Sequence, residues 1–156
     1  DVFPEEIPVG KFRTVNITKK EPVLDGETVQ YSSHFMIQDT LAYDFEREQN
    51  FSYAGLTNEQ KALHAMTFLA DIWQVHPFRE GNTRTVAVFG IQYLRKLGFH
   101  IDNSLFSEHA AYFRNALVLY HYQGEKQDKQ FLKMFFENLL MGKKNILSDE
   151  EMYAKK

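Results

Sequence analysis

Two apolar stretches with helical spacing, joined by a short polar segment, restrict this chain more than any other feature. Leu63, Met66, Ala70 and Trp73 recur at three-and-four spacing, and Phe68 and Ile72 widen the stripe beyond that of a half-exposed helix. Thr57-Asn-Glu-Gln60 just ahead has the form of a capping box, so a helix is predicted to start near residue 58. The pattern resumes at Val86, Phe89, Gly90, Tyr93 and Leu97, up to the natural stop Gly98. Between the two, Pro77 and Gly81 interrupt any continuous helix. The core is therefore predicted to be helix, loop, helix.

The rest of the chain should pack around that unit. A helical pattern runs from about Phe35 through Met36, Leu41, Tyr43 and Phe45 to the polar run ending at Asn50, and two more helices are predicted near 105–121 and 128–141, the last closed by Gly142. Asp25-Gly26 between apolar residues predicts a hairpin with strands near 20–24 and 27–31. The expected fold is mainly α: a compact helical bundle with one small β-hairpin. A chain of 156 residues suits one domain, taken as 1–142, followed by a charged and frayed tail over 143–156.

Composition removes several functions. With no cysteine there is no disulfide, thiolate nucleophile or cysteine-bound zinc. Eighteen Lys+Arg against 21 Asp+Glu argue against a broad basic face, so direct nucleic-acid binding is not expected. No apolar run approaches membrane-spanning length and the first residues lack a signal-peptide pattern, so a cytoplasmic location is expected, with export as an effector left open.

The joint His76-Pro-Phe-Arg-Glu-Gly-Asn-Thr-Arg84 carries the chemistry. A glycine followed by polar residues at a helix start gathers backbone N–H groups at the positive end of the helix dipole, a natural phosphate nest. Arg84 can add a guanidinium to the same anion, Glu80 can hold a magnesium ion bridging phosphates, and His76 can take a proton from an attacking hydroxyl. Each has a plainer reading: a structural histidine, a helix-start carboxylate, a surface ion-pair partner. The set points to nucleotidyl or phosphoryl transfer.

The segment resembles the Fic-domain signature H-x-F-x-(D/E)-G-N-G-R-x-x-R, matching at His76, Phe78, Glu80, Gly81, Asn82 and Arg84. Gly10-Lys-Phe-Arg-Thr-Val-Asn-Ile-Thr18 looks like the family's lead-in to its flap, so the resemblance covers roughly residues 5–141. It implies a protein adenylyltransferase that moves AMP from ATP to a target hydroxyl with Mg2+ or Mn2+. It further implies His76 as base and Glu80 as metal ligand, with Gly81, Asn82, Thr83 and Arg84 holding phosphates and Phe78 anchoring the loop. The flap, with Thr28, Val29 and Gln30, would take the target by strand addition. Tyr112 and Asn115 match positions that could line the nucleobase pocket, with core packing and solvent as their plainer roles.

Two positions depart from the pattern. Thr83 stands at the second signature glycine, and Ala87 at the last arginine. The family's inhibitory signature (S/T)-x-x-x-E-(G/N) has no full match, so no internal glutamate brake is expected, while a separate antitoxin-like inhibitor remains a candidate partner. Ala87 also keeps open another nucleotide or phospho-donor, and Thr83 with Ala87 a weak binding module. His64, His100, His109 and His121 show no metal-ligand spacing, and Lys19 and Lys20 are candidates for steering an acidic target. The chain opens at Asp1 in what resembles the end of the family's first helical region, which suggests a segment ahead of it.

Overall fold

The computed structural model describes residues 11–154, so the opening at Asp1, the first lead-in residue Gly10 and the end of the tail lie outside the described residues. The helices are α1 Ile37–Asn50, α2 Asn58–Val75, α3 Asn82–Lys96, α4 Ser104–Glu108, α5 Ala110–His121, α6 Gln130–Met141 and α7 Asp149–Ala154, with 3-10 turns at Pro22–Leu24 and His34–Met36.

Helix α2 is the central element and packs against α1, α3, α5 and α6. Its start is as predicted: the Thr57 hydroxyl accepts from Gln60 N–H and the Gln60 side chain accepts from Thr57 N–H. Ala65, Leu69, Ala70 and Trp73 are buried on it, whereas Leu63 is 37% exposed. Helix α3 lies close at Gly90, where an added Cβ would stand 3.1 Å from a Leu69 methyl.

Four expectations change. No strand occurs among the described residues, and the hairpin is replaced by the turn Pro22–Leu24 with Asp25 (φ 56) and Gly26 (φ 90) reversing the chain. The reversal keeps two cross-chain bonds, Glu21 N–H to Glu27 O and Gly26 N–H to Glu21 O. Pro22 has no N–H for a ladder, and the adjacent Val23 and Leu24 are both buried, which an alternating strand would not allow. In α1 the aromatics Tyr43 and Phe45 are exposed, and the buried residues are Ile37 and Glu48. Glu48 accepts from the Tyr53 and Tyr93 hydroxyls and contacts His64 Nε2 at 2.9 Å. The expected 105–121 helix divides at His109 into α4 and α5. The described part of the tail, up to Ala154, is packed and not frayed: Asn138 and Asn145 bond reciprocally, and Met152 of α7 is fully buried, with α7 against α5 and the Pro22–Leu24 turn.

Candidate active site

His76 is the residue on which α2 ends. It adopts a left-handed conformation (φ 52, ψ 59), unusual outside glycine and costly by about 1–2 kcal/mol. The residue is 2% exposed; its Nδ1 lies 3.0 Å from Trp73 O, so Nδ1–H donates there and Nε2 carries the free lone pair. Tyr31 stacks on the imidazole with centroids 3.8 Å apart, and Trp73 meets it edge-on. Burial, with the cations Lys19, Arg114 and Arg13 nearby, pushes the His76 pKa down to about 3 even though the bond to Trp73 O opposes this. The imidazole is therefore neutral, as a proton acceptor must be.

The loop closes through Asn82, which is 3% exposed. Its side-chain oxygen accepts from Phe78 N–H at 2.9 Å and its amide donates to Phe78 O at 2.7 Å. The expectation that Asn82 helps hold phosphate is narrowed accordingly: its side chain is engaged in shaping the loop, and its backbone N–H has no acceptor among the described residues. Phe78 itself is half-buried, its ring 5.9 Å from that of Phe12.

Gly81 is the N-cap of α3 at φ 81, without a side-chain cap. The first bond at this helix start is Thr85 N–H to Gly81 O, so the N–H groups of Asn82, Thr83 and Arg84 have no acceptor among the described residues. Thr83 is helical here and needs no glycine; its hydroxyl accepts from the Trp73 indole at 2.9 Å, tying the start of α3 to the end of α2. Arg84 is exposed and forms no ion pair among the described residues. Ala87 packs against the core, so nothing cationic stands at the last signature position.

Glu80 is 61% exposed and lies 3.9 Å from the Lys19 ammonium. Burial holds the Lys19 pKa below its ordinary value, against the pull of Glu80. Among the described residues no group of three or more His, Asp or Glu could hold a metal alone. One exposed carboxylate fits a hard cation that arrives with phosphate oxygens and water.

The segment expected as a flap crosses beside this loop. Its Glu21, 1% exposed, pairs with Arg114 of α5 at 2.6 Å and 2.8 Å, which raises the Arg114 pKa. Of the expected docking residues, Thr28 is half-buried and Gln30 exposed with its carbonyl accepting from Gln74, while Val29 is 3% exposed. The Val29 side chain belongs to the core and is not available to a target. Tyr112 is likewise corrected to a core role: it is 1% exposed and donates to Phe131 O at 2.7 Å. Asn115 is half-buried on the same helix. His64 and His121 have structural partners, Glu48 and Ala70 O.

Sequence reasoning placed Arg13 in the lead-in, Tyr31 in the hairpin and Trp73 in the apolar stripe, but gave none of them a role around His76, which their polar groups and rings frame. The available signal was an arginine between Phe12 and the β-branched pair Thr14-Val15.

The central helix thus ends at a buried neutral histidine, and after a short loop the next helix starts without a side-chain cap. The sequence profile of the Fic/DOC family matches residues 1–94, and the chain belongs to that family. It is 31% identical over 93 residues, 60% of its length, to the protein adenylyltransferase VbhT of Bartonella schoenbuchensis, and this match covers 18% of that protein. It is 41% identical over 69 residues, 38% of its length, to the probable protein adenylyltransferase y4lH of Sinorhizobium fredii, covering 36% of it. The matched region is thus a minor part of both relatives. No solved structure matches the chain.

Proposed function

We propose that this domain transfers AMP from ATP to a hydroxyl side chain of a target protein. The observation that carries this reading is the pairing of His76, neutral with Nε2 unbonded, with the unbonded N–H groups of Asn82, Thr83 and Arg84 across one short loop. In the step, the target oxygen bonds to the α-phosphorus, the bond from that phosphorus to the oxygen bridging to the β-phosphate breaks, and pyrophosphate leaves. The hydroxyl proton goes to His76 Nε2. The helix start and Arg84 hold charge that moves onto the leaving phosphates. Mg2+ or Mn2+, held by Glu80 and phosphate oxygens, would neutralise further phosphate charge. Tyr31 lies on the face of the imidazole, whose Nε2 lone pair lies in the ring plane.

The target would lie along residues 27–31, where Thr28 and Gln30 retain exposed surface. An antitoxin-like protein is a candidate inhibitor under this reading. Ala87 favours a second reading, a Fic-fold transferase with another nucleotide or phospho-donor, because one family cation is absent. A weak binding module loses part of its motivation, because the Thr83 side chain is engaged with Trp73. The test is label transfer from α-phosphate-labelled nucleotides to lysate proteins, with Mg2+ or Mn2+. Transfer from ATP that falls about 100-fold or more in a folded His76→Ala variant supports the reading. Label from a different donor selects the second reading, and transfer independent of His76 sinks both.

A further inference from the structure

Arg13 is 4% exposed, and its side chain donates only to backbone carbonyls. Nε reaches His76 O at 2.7 Å, one terminal nitrogen reaches Val15 O at 2.9 Å, and the other reaches Val75 O at 3.2 Å and Ser32 O. The Arg13 backbone N–H adds a bond to Pro77 O at 2.8 Å. No carboxylate pairs with this guanidinium among the described residues, and burial holds its pKa below the ordinary value.

Burying an unpaired cation is costly, and a core can usually be built better from apolar groups of the same volume. What the fork does here is specific. Val75, His76 and Pro77 are the three consecutive carbonyls at the point where the chain leaves α2, and the middle one belongs to the strained base. Such carbonyls lack intrahelical partners and carry the negative end of the helix dipole, so the guanidinium on Val75 O and His76 O satisfies both needs, while Pro77 O takes the Arg13 backbone N–H. The remaining contact, Ser32 O, is one residue beyond Tyr31, the ring stacked on His76. One side chain therefore reaches the backbone of the base and the segment that covers it.

We infer that Arg13 is a positioning residue, whose guanidinium fixes His76 and the Tyr31 segment against each other and so aims the Nε2 edge at the start of α3. It touches none of the reacting atoms. The role deepens the proposed transferase reading and rests on it for its catalytic consequence, whereas the geometry is readable without any substrate. A lysine keeps the charge but offers a point donor in place of a planar fork, so it cannot hold four carbonyls in three segments.

The experiment compares wild type with Arg13→Lys and Arg13→Met, the second removing the buried charge in case the first does not fold. Histidine-edited NMR of the free protein should show wild-type His76 as a single Nδ1–H tautomer, its ring protons displaced upfield by Tyr31. Both signatures are expected to be lost or averaged in a folded variant, with the transfer rate down about 100-fold at unchanged ATP affinity. An unchanged tautomer and ring shift in a folded variant overturn the inference. So does unfolding of both variants, which would make Arg13 a requirement of the fold. Wild-type spectra as expected, their loss in the variants and no transfer by the wild type from any nucleotide would end the transferase reading while leaving the positioning geometry in place.

Discussion

Helices α2 and α3 share one core and begin in opposite ways. At α2, the Thr57 and Gln60 side chains satisfy each other's backbone N–H groups, so two of the four open donors at that helix start are met by its own sequence, while those of Asn58 and Glu59 have no acceptor among the described residues. At α3, Gly81 offers no side chain, Asn82 turns its amide back to Phe78, and three N–H groups are left without acceptors. Unsatisfied donors at a helix start are a liability for a fold and an asset for binding an anion. The contrast is between a reciprocal side-chain cap at one helix start and no side-chain cap at the other, within the same helical pair.

Several substitutions break or sharpen that contrast. Arg84→Ala should weaken ATP binding by about 1.5–3 kcal/mol, roughly 10- to 100-fold, with little change in melting temperature, because the exposed guanidinium has no partner within the described fold. Calorimetric titration measures the affinity, and an unchanged Kd would remove Arg84 from the phosphate site.

Acid is the next strongest perturbation. The folded-state pKa values of His76 (about 3) and His121 (about 4) lie below the ordinary histidine value, so between pH 6.5 and 4 the unfolded chain binds protons that the folded chain refuses. Stability is then fully present above pH 6.5 and falls as pH falls. Asp71, raised to about 6 by burial and by Asp44, acts in the opposite sense: its contribution is present at low pH and lost as pH rises through 6. The two histidines outweigh it, and the net loss from pH 7 to 5 is on the order of 2 kcal/mol. Denaturant midpoints across that range test this, and a rise in stability on acidification would contradict it.

The smallest effect is at the capped start of α2. Thr57→Ala should cost about 1 kcal/mol of stability and leave ATP affinity untouched. A loss of affinity there would show that the two helix starts are not separable.

Much of the helical pair was legible because its signals are local: a capping box, a three-and-four stripe, a glycine at the break. The loop 76–84 was legible for the same reason. The roles of Asn82 and Thr83 were not, since Asn82 spends its amide four residues back and Thr83 bonds to an indole on the preceding helix. The hairpin failed because a turn signal at Asp25-Gly26 says where the chain reverses and not whether Pro22-Val23-Leu24 can form a ladder. Tyr112 shared its helical register with Asn115, and spacing alone could not tell a pocket from the core that holds its hydroxyl on Phe131 O. Arg13 was missed because its four side-chain bonds go to carbonyls up to 63 residues away.

The most direct test of the central claim is an amide chemical-shift titration of the folded domain with ATP and Mg2+, and with pyrophosphate as the phosphate-only probe. The N–H signals of Asn82, Thr83 and Arg84 should move saturably with both, while those of Asn58, Glu59 and Gln60 at the start of α2 stay in place. Saturable shifts that bypass α3, or no saturable shifts at all, would contradict the assignment of its open start as the phosphate site.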